Sequence, residues 1–95
     1  MAVAFELRFK GATLEQYDQV MELMGLEPRG PVVPDSLFHW AAATDDGLLV
    51  VDVWESAEAF NKFAAEKIGP FTQQVGFEGQ PEITSYEVHN YLVTA

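Results

Sequence analysis

Residues 36–56 read SLFHWAAATDDGLLVVDVWES, and the way this stretch pairs with itself decides the fold. Asp45-Asp46-Gly47 is a turn signal between two apolar runs, so residues 36–44 and 47–54 are expected to form a β-hairpin. Apart from Asp52 and the closing Trp54, the second run after Gly47 is Leu and Val only. Such a strand is apolar on both sides and calls for cover on both. Asp52 breaks the pattern. A carboxylate taken out of water is costly unless it is paired and hydrogen-bonded, so Asp52 needs a partner: His39 on the first run, a cation such as Arg8, or a second subunit. The loop between the runs chooses. With a two-residue loop, Asp45–Asp46, His39 and Asp52 stand opposite each other on one face. With a three-residue loop, Trp40 opposes Asp52 and His39 points away. Turn chemistry favours the three-residue loop, a type I turn with Gly47 in the left-handed region.

Working outward, Val3, Phe5, Leu7 and Phe9 alternate with Ala4, Glu6, Arg8 and Lys10, which predicts a first strand over about residues 2–10. Thr13 followed three residues later by Gln16 is a capping-box pattern. Leu14, Tyr17, Val20, Met21 and Met24 then fall at helical spacing and predict one apolar stripe. Gly25 suits the position after the helix, with Leu26 as its hydrophobic contact. EPRGPVVPD, residues 27–35, holds three prolines and reads as a stiff loop. After the hairpin, Ser56 caps a second helix whose apolar side is Ala59, Phe60, Phe63, Ala64 and Ile68. Gly69-Pro70 is expected to end or kink it, and Pro70 suits the first turn of a continuation. A last strand is predicted over about residues 82–93.

The order is βαββαβ, the ferredoxin-like α+β pattern: a four-stranded antiparallel sheet with two helices on one face. The opposite face of the hairpin strands is apolar, and a single domain spanning residues 1–95 has no third layer to cover it. A second copy is the simplest cover, so a homodimer packed sheet to sheet is expected. A chain of this length buries roughly 60–65% of its unfolded surface, so added burial would help it.

Fifteen acidic residues against five basic ones give a net charge of −10, which argues against nucleic acid and anionic membrane as partners. With no cysteine there are no disulfides, thiolate metal sites or thiol nucleophiles. No Ser-centred elbow or phosphate-binding glycine loop is present. No apolar run approaches the ~18 residues that span a bilayer, and the opening segment alternates too regularly for a signal peptide. The chain reads as cytoplasmic.

The topology, the length and DVWESAEAFNKF at residues 52–63 resemble the dimeric α+β barrel superfamily, and within it the antibiotic-biosynthesis-monooxygenase-like domains. Such domains have an acidic residue, one spacer, a Trp and a short helix start, matched here by Asp52, Trp54 and Glu55-Ser56. The resemblance implies a dimer in which each subunit keeps a pocket between its sheet and its helices. It also implies a small aromatic or polyketide-like ligand and, where there is activity, oxidation by O₂ without a cofactor, or isomerisation or cyclisation. Non-catalytic ligand binding or regulation on the same scaffold is the alternative. Haem-degrading relatives carry a His late in the second helix; residues 69–76 hold none here, which counts against haem.

Histidine suits proton transfer near neutral pH, which makes His39, with Asp52 to orient it, the first catalytic candidate. Asn90, which alternation places on the apolar side of the last strand, is a candidate for holding a substrate carbonyl. Trp54 and Phe63 are candidate pocket walls, as is Trp40 in the three-residue register. His89 is a candidate ligand or subunit contact. Each has a plainer reading: Trp54 and Phe63 as core, His39 and Asp52 as a structural pair. His39, His89 and Asp52 lie on separate strands without metal-ligand spacing, so no metal is expected.

Overall fold

The computed structural model describes residues 1–94. The elements run β1 (Val3–Lys10), α1 (Leu14–Met24), β2 (Ser36–Thr44), β3 (Gly47–Trp54), α2 (Ala57–Phe63), a π-helical turn (Ala64–Ile68), α3 (Gly69–Val75) and β4 (Glu82–Glu87). The four strands form one antiparallel sheet in the order β2-β3-β1-β4. This is the expected ferredoxin-like arrangement.

Alternation along β1 and β3 sets which face is covered. Phe5, Leu7 and Phe9 with Leu48, Val50 and Trp54 form the buried inner face, packed with Phe60 of α2. Phe5 and Phe60 stack at 3.9 Å between ring centroids, and Trp54 meets Phe60 edge-on at 6.1 Å. On the outer face, Phe38 and Trp40 of β2 lie opposite Val53 and Val51 of β3, while Glu6 and Arg8 of β1 lie opposite Thr84 and Glu82 of β4. The outer face is thus apolar over the hairpin and polar over the other two strands.

Both helix starts follow the sequence. Thr13 accepts from the Gln16 backbone while the Gln16 side chain reaches back to the Thr13 N–H, and Ser56 accepts from the Ala59 backbone. Gly25 closes α1 in the left-handed conformation, with Leu26 N–H donating to the Met21 carbonyl. Within the predicted stripe only Val20 is buried, and Leu14 is half exposed. The reason is that α1 packs against α3 and stands off the sheet.

Three expectations are corrected. Thr44 pairs with Gly47, so the hairpin loop is the two-residue Asp45–Asp46, not the three-residue loop that turn chemistry favoured. Gly47 is not in the left-handed region; it is needed because β1 runs so close that a Cβ at this position would lie 2.2 Å from the Phe9 carbonyl oxygen. At Gly69-Pro70, as expected, one helix gives way to a continuation: α3 starts at Gly69 with Pro70 in its first turn. A π-turn, with Gly69 N–H donating to the Ala64 carbonyl, carries the rod from α2 into α3. Finally, β4 stops at Glu87 rather than near residue 93, although Val88 N–H still donates to the Ala2 carbonyl. β1 begins only at Val3 and supplies no further ladder beyond that point.

Candidate functional site

The two-residue loop places His39 directly opposite Asp52 on the inner face. His39 Nδ1 lies 2.5 Å from Asp52 Oδ1. The other carboxylate oxygen, Oδ2, accepts from the Trp54 indole N–H at 3.3 Å. Asp52 is 4% exposed, yet both its oxygens have partners. A carboxylate only accepts, so Nδ1 carries a proton, and in the neutral imidazole Nε2 is then the acceptor. Nε2 is met by the Tyr17 hydroxyl at 2.5 Å, from α1. The Tyr17 and His39 rings lie nearly parallel, 9° between planes and 5.9 Å between centroids. A line of hydrogen bonds thus runs Trp54–Asp52–His39–Tyr17, from the buried core to α1.

The line borders a cavity of about 600 Å³, roofed by α1 and the proline-rich loop and floored by the sheet. Tyr17, His39, Asp52, Trp54 and Phe63 all contribute to its lining. Trp54 and Phe63 stand 5.1 Å apart as aromatic wall, and Met21 and Met24 sit in the roof. Trp54 is at the same time core, at 2% exposure. The cavity's charged residues are Asp18, Glu22, Glu27, Arg29 and Asp52. Burial pushes the Tyr17 phenol up to about 12, with the charges of Asp52 and then Asp18 adding to the effect.

Of the residues singled out from sequence, His39, Asp52, Trp54 and Phe63 come together here. Trp40 points to the outer face, 41% exposed. His89 and Asn90 follow the end of β4, are exposed and do not line the cavity. Tyr17 is the residue that sequence reasoning passed over, because it fits the apolar stripe of α1. A signal was present: a tyrosine hydroxyl on an inward face needs a polar partner, and the facing hairpin offers few. Among the described residues no group of three or more His, Cys, Asp or Glu is arranged to hold a metal.

No family model matches the chain, and no curated protein matches its sequence. Solved structures do match. A variant of SnoaB, a cofactor-independent oxygenase from Streptomyces nogalater, superposes with a TM-score of 0.63 at 15% identity, over 96% of each chain. A monooxygenase from the gene ActVA-Orf6 of Streptomyces coelicolor, in complex with the ligand Nanaomycin D, gives 0.58 at 19% identity, over 99% of this chain and 92% of that one. A Deinococcus radiodurans protein ascribed to the antibiotic biosynthesis monooxygenases gives 0.58 at 12% identity, over 100% and 99%. The chain shares its fold with these three structures. At these identities the likeness to that fold concerns architecture, and chemistry has to be argued from the cavity itself. No helix among the described residues is long and apolar enough to cross a membrane.

Proposed function

We propose that the chain is a cytoplasmic, homodimeric pocket protein acting as a cofactor-independent monooxygenase, or as an isomerase or cyclase using the same base, on an aromatic or polyketide-like small molecule. The observation that carries this reading is the His39–Asp52 pair on the wall of an open, largely apolar cavity. A carboxylate behind Nδ1 fixes the tautomer and stabilises the imidazolium that forms when Nε2 takes a proton. The cavity volume is in the range that takes a drug-sized ligand, and Trp54 and Phe63 offer faces to a planar ring. Two solved structures with this fold are named as oxygenases, which supports the choice.

His39 would remove a proton from a phenol-like substrate, leaving an electron-rich ring. In the oxygenation, a ring CH₂ activated in this way gives electrons to O₂ and a C–O bond forms. The hydroperoxide then loses water to leave a carbonyl, so that one oxygen atom stays in the product and the other leaves as water. In an isomerisation the proton returns to a different carbon. The dimer reading rests on the outer sheet face, where Phe38 and Trp40 are 43% and 41% exposed beside Leu49 and Val51. A contiguous apolar face of this kind marks an interface, and a second copy covers it symmetrically.

The test is O₂ consumption with hydroxylated anthrones and naphthoquinols, followed with an oxygen electrode and by product spectra. His39→Gln should lower kcat by about 10²–10⁴-fold. Probe binding without turnover above autoxidation in the unsubstituted protein would leave a ligand-binding dimer and remove the enzyme.

A further inference from the structure

Neither nitrogen of His39 is free. Nδ1 faces Asp52 and Nε2 faces the Tyr17 hydroxyl, each at 2.5 Å. A substrate hydroxyl approaching this base must therefore displace Tyr17 or act through it. Displacement has a structural cost: among the described residues, Tyr17–His39 is the one side-chain hydrogen bond joining α1 to the sheet, and α1 otherwise leans on α3. Breaking that bond loosens the cavity roof at the moment when water should be excluded. Acting through Tyr17 keeps the roof in place. The Tyr17 oxygen gives its one proton to Nε2 and still has lone pairs to accept with, and the residue lines the cavity.

We infer that Tyr17 is the group that meets the substrate, relaying the proton of an uncharged hydroxyarene to His39 and then holding the resulting aryloxide. This rests on the base assignment made above. The bookkeeping closes within the site. The substrate O–H bond breaks and a Tyr17 O–H bond forms, while the original Tyr17 O–H bond breaks and an Nε2–H bond forms. What remains is an aryloxide accepting from Tyr17, which accepts from imidazolium His39, which donates to Asp52. No charge enters or leaves the cavity.

Two further observations fit. The Tyr17 phenol, pushed up to about 12, stays protonated at neutral pH; it passes a proton on as it receives one and then serves as a donor. The groups facing it are His39 and Asp52 from the sheet and Asp18 beside it on α1. Asp18, Glu22 and Glu27 line the cavity against a single cation there, Arg29, in a chain of net charge −10. Like charge disfavours an anionic ligand, so the substrate enters neutral, and its anion exists only with the lost proton kept next to it on His39.

The test uses 4-nitrophenol and the weaker acid 4-cyanophenol as probes, because their anions absorb apart from the neutral forms. Bound to the unsubstituted protein, each should ionise about one pH unit or more below its value in water. Tyr17→Phe keeps the ring and should still bind the neutral probe, but with the ratio of bound anion to bound neutral probe at a given pH reduced about tenfold, the size of effect expected when one charge-assisted hydrogen bond is lost. A fluorotyrosine placed at position 17 alone preserves shape and should move the pH at which the bound anion appears, which a packing role for Tyr17 would not do. An unchanged anion fraction in Tyr17→Phe, with loss in His39→Gln, overturns the inference: His39 then meets the substrate directly and the base assignment stands. Probes that bind only as neutral phenols in the unsubstituted protein overturn both.

Discussion

The two faces of the β2–β3 hairpin differ by one residue of alternation and by everything else. On the inner face His39 opposes Asp52; on the outer face Phe38 opposes Val53 and Trp40 opposes Val51. The inner face carries a charge in the covered interior, and each of its polar atoms is partnered. The outer face carries two large aromatic side chains that the chain leaves about two-fifths exposed, Phe38 and Trp40. The contrast teaches that polarity and burial can be exchanged between the faces of one strand pair when each face answers to a different partner. The inner face answers to α1, α2 and the cavity, the outer face, on the proposed reading, to a second copy.

Breaking the inner face should have the largest effect. Trp54→Ala removes a buried indole packed on Phe60 and Phe63 and also takes a donor from Asp52. It should cost about 3–5 kcal/mol in chemical denaturation. A loss below 1 kcal/mol would mean that Trp54 is wall rather than core. Breaking the outer face should instead change mass. Trp40→Lys puts a charge on the exposed apolar patch, and light scattering at micromolar concentration should then give the monomer, where the unsubstituted chain is expected to give the proposed dimer. The cavity, on the opposite side, should bind probes as before. A dimer that survives this substitution would move the subunit contact elsewhere.

The smallest effect is alkaline. The folded chain favours the neutral phenol of Tyr17, so the unfolded chain gives up its proton first as pH rises. Stability from this group is fully present below the ordinary tyrosine range near 10 and is lost as pH climbs from there towards about 12. A spectrophotometric titration should show a late phenolate step near 12, absent in Tyr17→Phe. That step sharpens the comparison, because Tyr86 on the outer face is also raised, but chiefly by its hydrogen bond to Glu6 and that carboxylate's charge.

Much of this architecture could be read from residues. The alternation of Val3 to Lys10, the Thr13–Gln16 box and the Ser56 cap each have a local cause, and each forms where expected. Positions governed by distant partners were less legible. Gly47 answers to the close approach of β1 and not to the turn, so turn chemistry misread the hairpin loop. Alternation in residues 88–93 suggested more strand, but β1 supplies no ladder there, so Asn90 and His89 lie away from the cavity. His39 and Asp52 were legible as a pair with two registers. Tyr17 was hidden because helical spacing records that a residue faces inward and not what its hydroxyl will find.

The two-residue loop also constrains how such a gene can change. Inserting or deleting one codon at Asp45–Asp46 would turn the whole of one strand over, sending Trp40 towards the cavity and His39 towards the outer face. A single event would remove both the His39–Asp52 pair and the apolar patch, with no half-way variant for selection to keep. The proline-rich loop at residues 27–35 carries no such parity. Descendants of this chain are free to vary the length of the cavity roof, while the length of the hairpin stays fixed.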